Sequence, residues 1–198
     1  KLRYNNMITN FETYRQNISS ALHFVNAESV DTLYNSILSG NPTVYLFGNG
    51  GSAAIAEHWV CDISKGVRLD TGIRVKAVSL SSNMPLITAI ANDIGYHEIF
   101  SQQLDFIGAN SDDIAIAISS SGNSKNIING LNRAKAKGMK TFALTGFTGG
   151  EAKEIADVSI HIPSANYGVV EDTHMMILHS ISQKMRYLNS LNKNSLVL

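Results

Sequence analysis

Residues 44–66 read VYLFGNGGSAAIAEHWVCDISKG, and the architecture is built outward from them. Val44, Tyr45, Leu46 and Phe47 are a short apolar run of β-favouring residues, the pattern of a buried strand. Gly48, Asn49, Gly50, Gly51 and Ser52 follow at once. Glycines at this point let the backbone take positive φ and let a ligand approach the main chain. From Ala53 onward the pattern predicts a helix, with Ala54, Ile55, Trp59 and Ile63 available for packing. Strand, glycine-rich turn and helix together make an anion site, because the first helical N–H groups and the positive end of the dipole face the turn. The same helix carries His58 and Asp62, four residues apart and so on one face. That spacing lets them share a metal ion or a substrate.

Composition narrows the class. A chain of 198 residues with 44% apolar and 16% charged residues is globular and large enough for one domain with its own core. The formal net charge is zero and no basic block stands out, which argues against direct nucleic-acid binding. A single cysteine, Cys61, excludes an internal disulfide and a cysteine-rich zinc site. No apolar run reaches the length of a membrane span and no secretory signal opens the chain, so a cytoplasmic protein is expected. The chain opens on Lys1 and not Met; its native start is expected elsewhere, Met7 being one candidate.

The rest of the chain alternates. Residues 7–40 are expected to form helices, with Ile8, Phe11, Tyr14, Ile18 and Leu22 at three- and four-residue steps. A second helix over 28–38 ends at the stop signal Ser39-Gly40-Asn41-Pro42. This leading pair either covers the sheet or builds a subunit interface. Further strands are expected at 74–80, 113–118, 140–145 and 158–162. Helices are expected at 86–91, 96–107, 125–137, 151–156 and 170–188, and residues 189–198 form a frayed tail. Asn92-Asp93-Ile94-Gly95 is expected to interrupt the helical run before Tyr96. Alternation of this kind implies one α/β domain around a parallel five-stranded sheet, core at about 43–188. Ligands in such sheets collect at the carboxyl ends of strands.

A second turn echoes the first. Ser119, Ser120, Ser121, Gly122, Asn123 and Ser124 follow an apolar strand and precede a helix. Hydroxyls and backbone amides without a fixed cation suit the phosphate of a small ligand. The competing reading is a serine-rich helix cap. Neither turn has the Gly-Lys-Ser/Thr of a P-loop or the spacing of a dinucleotide fingerprint.

The last helix offers Glu171 and His179, eight residues apart. With His58 and Asp62 they can complete a four-ligand divalent site. The alternatives are a surface hydrogen bond for His58–Asp62, a core histidine for His179 and a first-turn carboxylate for Glu171. His174 is a ligand or an interface residue; His23, His97 and His161 are structural. Trp59, Met175 and Met176 are packing residues, and Cys61 is a small buried one. Asn92 and Asp93 form a cap or a polar lip to the site, where Asp93 can bind a sugar hydroxyl.

Several motifs in one order resemble a known family. They are GNGGSAAIAEH (48–58), LITAIANDIGYHEIFSQQL (86–104), ISSSGNSKNI (118–127), AKAKGMKTFALTGFTGGE (134–151) and EDTHMMILH (171–179). Together they resemble the sugar isomerase (SIS) domain family over about residues 8–188, and within it the sedoheptulose 7-phosphate isomerases, also called phosphoheptose isomerases. The resemblance implies a three-layer α/β/α sandwich and a homotetramer with sites at subunit contacts. It implies substrate contacts at Asn49, Gly50, Gly51, Ser52, Asn92, Asp93, Ser119, Ser120, Ser121 and Ser124. It implies a Zn2+ site at His58, Asp62, Glu171 and His179, with Asp62 and Glu171 also reaching the substrate.

Two of those four depart from the family pattern. Asp62 stands where a Glu is usual, a residue that also serves as acid/base, and Glu171 where a Gln is usual. Asp is one methylene shorter, so its carboxylate falls back unless the helix shifts; a misplacement of about 1 Å costs on the order of 10²-fold in rate. The implied reaction is aldose–ketose isomerisation of a sugar phosphate through an enediol(ate), with Asp62 or His179 moving the proton. In the family it converts sedoheptulose 7-phosphate to D-glycero-D-manno-heptose 7-phosphate for lipopolysaccharide or capsule synthesis. The alternative is a non-catalytic SIS module that binds sugar phosphate or a protein partner of the replication-initiator type. A sugar-phosphate-sensing regulator ranks below both.

Overall fold

A computed structural model describes the backbone of residues 10–194 and the side chains of residues 10–187. Met7, Ile8 and the last four residues of the expected tail lie outside the described residues. Five strands form one sheet: β1 (Thr43–Gly48), β2 (Lys76–Ser79), β3 (Ile114–Ser119), β4 (Lys140–Thr145) and β5 (Val158–His161). Their order is β2-β1-β3-β4-β5 and every pairing is parallel. The chain direction across the sheet reverses between β1 and β3, and a crevice opens at the carboxyl ends of those two strands.

Among the described residues, nine α-helices surround the sheet. They are α1 (Phe11–His23), α2 (Ala27–Leu38), α3 (Gly51–Cys61), α4 (Arg68–Thr71), α5 (Met84–Asp93), α6 (Ser101–Phe106), α7 (Lys125–Ala136), α8 (Gly150–Ile155) and α9 (Tyr167–Asn194). Helices α1, α2, α3 and α9 cover one face and α5 to α8 the other, giving three layers. Strand β3 shows how the layers differ. Ile114, Ile116 and Ile118 face α3 and α9, while Ala115 and Ala117 face α7. The small residues let α7 lie close: a Cβ on Gly130 would stand 2.8 Å from the Phe47 ring. Asn10 caps α1 by accepting from the Thr13 N–H at 2.9 Å, and Asn26 caps α2 through Glu28 and Ser29.

Four boundaries differ from expectation. Helix α3 begins at Gly51, two residues before the expected Ala53; past Cys61 the backbone continues through a π-helical turn, Asp62–Val67, into α4, and Gly72 at φ +78° closes it. Helix α5 takes in Asn92 and Asp93. The stop is Gly95, at φ +141°, whose N–H and that of Ile94 both bond to the Ile90 carbonyl. Polar side chains at a helix end are compatible with helix; an extended glycine is not. The run over 96–107 splits into a 3-10 turn, Tyr96–Glu98, and α6. Helix α9 starts three residues early and runs through Asn194, past the expected end of the core at Leu188.

Candidate active site

Both turns stand where the topology places ligands, after the adjacent strands β1 and β3. One pocket is lined by Asn49 and Ser52 from the first turn and by Ser119, Ser120, Ser121 and Ser124 from the second; Tyr167 and Glu171 of α9 close it. Three details bear on what it holds. Gly50 precedes α3 without any side-chain cap; the Ser52 and Ala53 N–H groups turn back to the Asn49 and Gly50 carbonyls, which leaves the Gly51 N–H for a ligand. Ser124 precedes α7 but its hydroxyl makes no cap hydrogen bond either. The Ser120 hydroxyl is buried with no partner. Uncommitted donors converging on one crevice suit an anion and weaken the reading of residues 119–124 as a cap.

The second turn is braced from behind. Gly122 has φ +66°, and a Cβ there would fall 1.8 Å from the Gly149 carbonyl oxygen. The Ala152 N–H donates to the Gly122 carbonyl at 2.9 Å, and the Glu151 N–H to Asn123 Oδ1 at 3.1 Å. Asn123 is thus occupied in holding the turn. Gly51 lies against the Glu171 carboxylate, whose Oε2 would stand 2.3 Å from a Cβ there; that carboxylate end can move, unlike the backbone behind Gly122. Burial, and then the neighbouring Asp172, raise the Glu171 pKa above the ordinary carboxylate value. Asp172 itself accepts from the Tyr14 hydroxyl at 2.5 Å, which ties α1 to the pocket end of α9.

Further along α3 lies a second cluster. His179 Nε2 is 3.3 Å from His58 Nε2 and 3.4 Å from Asp62 Oδ2, and His58 Nε2 is 3.8 Å from the same oxygen. These are the only three residues among those described that form such a cation-sized group. Donors about 2.1 Å from a tetrahedral ion lie about 3.4 Å from one another, so two imidazoles and a carboxylate at these spacings fit a divalent ion with one position open. Asp62 therefore reaches the histidines despite its length; it stands four residues after His58 at the first position of the π-turn.

Glu171 does not join this group. A helix rises 1.5 Å per residue, so eight residues put about 12 Å between the backbones of Glu171 and His179. One end of α9 walls the pocket and the other meets α3. Asn92 and Asp93 are also apart: both are exposed at the end of α5, where the Asn92 amide donates to Asp93. His174 is fully buried, which removes it from both readings, ligand and interface. Burial pushes its pKa down to about 4. His161 is held at its Nδ1 by the Thr145 hydroxyl, 3.1 Å away. Cys61 is exposed and not buried, because it closes α3 on the side away from the sheet. Tyr167 was missed by pattern reading; its ring packs at a tilt against Phe147 with centroids 4.7 Å apart. No motif announces it.

A family model described as SIS domain matches residues 7–146. The chain belongs to the SIS domain family. That match holds both turns and the His58–Asp62 pair but stops before α9. Similarity across longer stretches comes from individual SIS proteins. A probable phosphoheptose isomerase of Thermoplasma acidophilum is 39% identical over 151 residues, 76% of this chain and 81% of that one. The phosphoheptose isomerase of Helicobacter pylori strain P12 is 34% identical over 168 residues, 85% of this chain and 82% of its own. The solved structure of a phosphoheptose isomerase from Francisella tularensis superposes with a TM-score of 0.81 at 26% identity, covering 89% of this chain and 94% of that one.

Proposed function

We propose that this SIS domain is an aldose–ketose isomerase that converts sedoheptulose 7-phosphate to D-glycero-D-manno-heptose 7-phosphate, for lipopolysaccharide or capsule heptose. The reach of Asp62 carries the reading: its Oδ2 lies 3.4 Å from His179 and 3.8 Å from His58, in a chain similar to phosphoheptose isomerases. A short carboxylate that still meets both imidazoles supports an enzyme over the non-catalytic module.

Serine hydroxyls bind the phosphate, with the N–H of Gly51 at the start of α3 and those of Lys125 and Asn126 at the start of α7. Ser52 and His58 are offset by about 9 Å along α3, a span that an extended heptose phosphate bridges. The reactive carbons then lie toward His58, Asp62 and His179. Asp62 or His179 takes a proton from C1 of the ketose and returns it at C2, with an enediol(ate) between. His58, Asp62 and His179 would hold a divalent ion, zinc by the nature of the donors, which when bound supplies Lewis acidity toward the sugar carbonyl.

Assembly follows the same reading. Phe11, Leu22 and Phe24 of the leading helices and Met176 of α9 are exposed apolar side chains, which supports a homotetramer. Among the described residues no helix is long and apolar enough to cross a membrane, in keeping with a cytoplasmic enzyme. The decisive experiment is turnover of sedoheptulose 7-phosphate by zinc-loaded protein. Asp62→Asn and His179→Ala should each lower kcat by about 10²-fold or more. No turnover by the unaltered chain, or full turnover by both variants, overturns the assignment.

A further inference from the structure

Asn126 lies in the first turn of α7 and is only 2% exposed. Its Oδ1 accepts the backbone N–H of Ile127 at 3.0 Å. A backbone N–H only donates, so this contact determines which end of the Asn126 amide is oxygen. The amide then pairs head to tail with Asn49. Asn49 Nδ2 donates to Asn126 Oδ1, and Asn126 Nδ2 donates to Asn49 Oδ1, both at 2.9 Å. The Tyr96 hydroxyl donates to the same Asn49 Oδ1 at 3.0 Å. Two donors saturate that oxygen, and one N–H of Asn49 Nδ2 is spent on Asn126. The side chain has one capacity left, a single N–H, and Asn49 lines the pocket.

We propose that Asn126 and Tyr96 are positioning residues that hold Asn49 as a hydrogen-bond donor to the sugar part of a bound sugar phosphate. The placement beside the phosphate follows from the sheet. The serines follow β3, while Asn49 follows β1, one strand away at about 4.8 Å. An amide free to rotate would present oxygen or nitrogen at will; this one is oriented by a backbone N–H acting through Asn126. The pocket therefore selects a ligand with an acceptor oxygen next to its phosphate. The proposal rests on the reading of the pocket as a sugar-phosphate site.

The test is calorimetric titration of the full chain with sedoheptulose 7-phosphate and, separately, with inorganic phosphate. Asn126→Leu should raise Kd for the sugar phosphate about tenfold, and Tyr96→Phe about threefold. Kd for inorganic phosphate should stay within about twofold in both. A merely structural role would weaken both ligands together. Parallel loss of both, or unchanged sugar-phosphate affinity, overturns the proposal. If Asn126→Leu does not fold, Tyr96→Phe, whose ring is exposed, decides the question alone. Failure of the unaltered protein to bind the sugar phosphate, while it binds inorganic phosphate, refutes the functional reading first and this proposal with it.

Discussion

The indole Nε1 of Trp59 donates to the carbonyl oxygen of Leu178 at 2.8 Å. Each residue adjoins a histidine of the cluster, so this one bond sets His58 of α3 against His179 of α9. Trp59 is fully buried, and the bond forms where no water competes. Trp59→Phe keeps most of the bulk and removes the donor. It should lower stability by about 2 kcal/mol and weaken zinc binding about tenfold. Urea unfolding and a zinc titration measure the two effects, and loss of stability with unchanged zinc affinity would show that the indole only fills space.

Ser124 separates the two readings of the second turn. A capping hydroxyl removed by mutation to alanine costs about 1 kcal/mol. The Ser124 hydroxyl makes no cap bond. Ser124→Ala should therefore change stability by less than about 0.5 kcal/mol while weakening inorganic-phosphate binding about fivefold. The reverse pattern, lost stability and kept affinity, would restore the cap.

Gly51 and Glu171 are predicted to be coupled. An alanine methyl at position 51 would overlap Glu171 Oε2, 2.3 Å away, although the backbone there is compatible with alanine. The Glu171 carboxylate end can rotate away from the methyl, so Gly51→Ala should cost less than about 1 kcal/mol in the native chain and almost nothing in a Glu171→Ala background. A double-mutant cycle on unfolding free energy reads this directly; additive effects would mean that the two do not touch.

His174 makes stability depend on pH. Its pKa falls from an ordinary value near 6.5 to about 4 on burial. The unfolded chain then binds the proton that the native chain refuses between those values, so stability is complete above about pH 6.5 and is lost as pH falls toward 4. Between pH 7.5 and 5 the loss from this group is about 2 kcal/mol. His174→Leu should flatten that part of the profile, measured by denaturant unfolding at several pH values; an unchanged slope would assign the dependence elsewhere.

The readable parts of this chain are those governed by local pattern. The apolar runs of β1 and β3 and the two turns after them sit in sequence as they sit in space. His58 and Asp62 pair because four residues make one helical turn. Beyond that, legibility fails for physical reasons. Glu171 and His179 share a helix face, yet the rise between them puts one at the pocket and one at the cluster. A periodicity argument records direction around an axis and not distance along it. Asn92 and Asp93 look like a break, but helix termination here depends on the φ of Gly95. Asn126 and Tyr96 gain their role only through Asn49, to which the fold brings them from 77 and 47 residues away. Cys61 illustrates the remaining limit: a small apolar residue on an amphipathic helix is buried or exposed according to which neighbours arrive.

Helix α9 joins the two ends of the site as a strut. It walls the serine-lined pocket with Glu171, crosses the core at His174 and Leu178, and presents His179 to α3. A rigid strut moves as a whole, so sliding it to suit one end displaces the other by the same amount. Fitting a different sugar or ion therefore falls to the lengths of the side chains at its two ends. Asp62 and Glu171, the two residues at which the resemblance implies a departure, differ from the implied residues in side-chain length or charge alone.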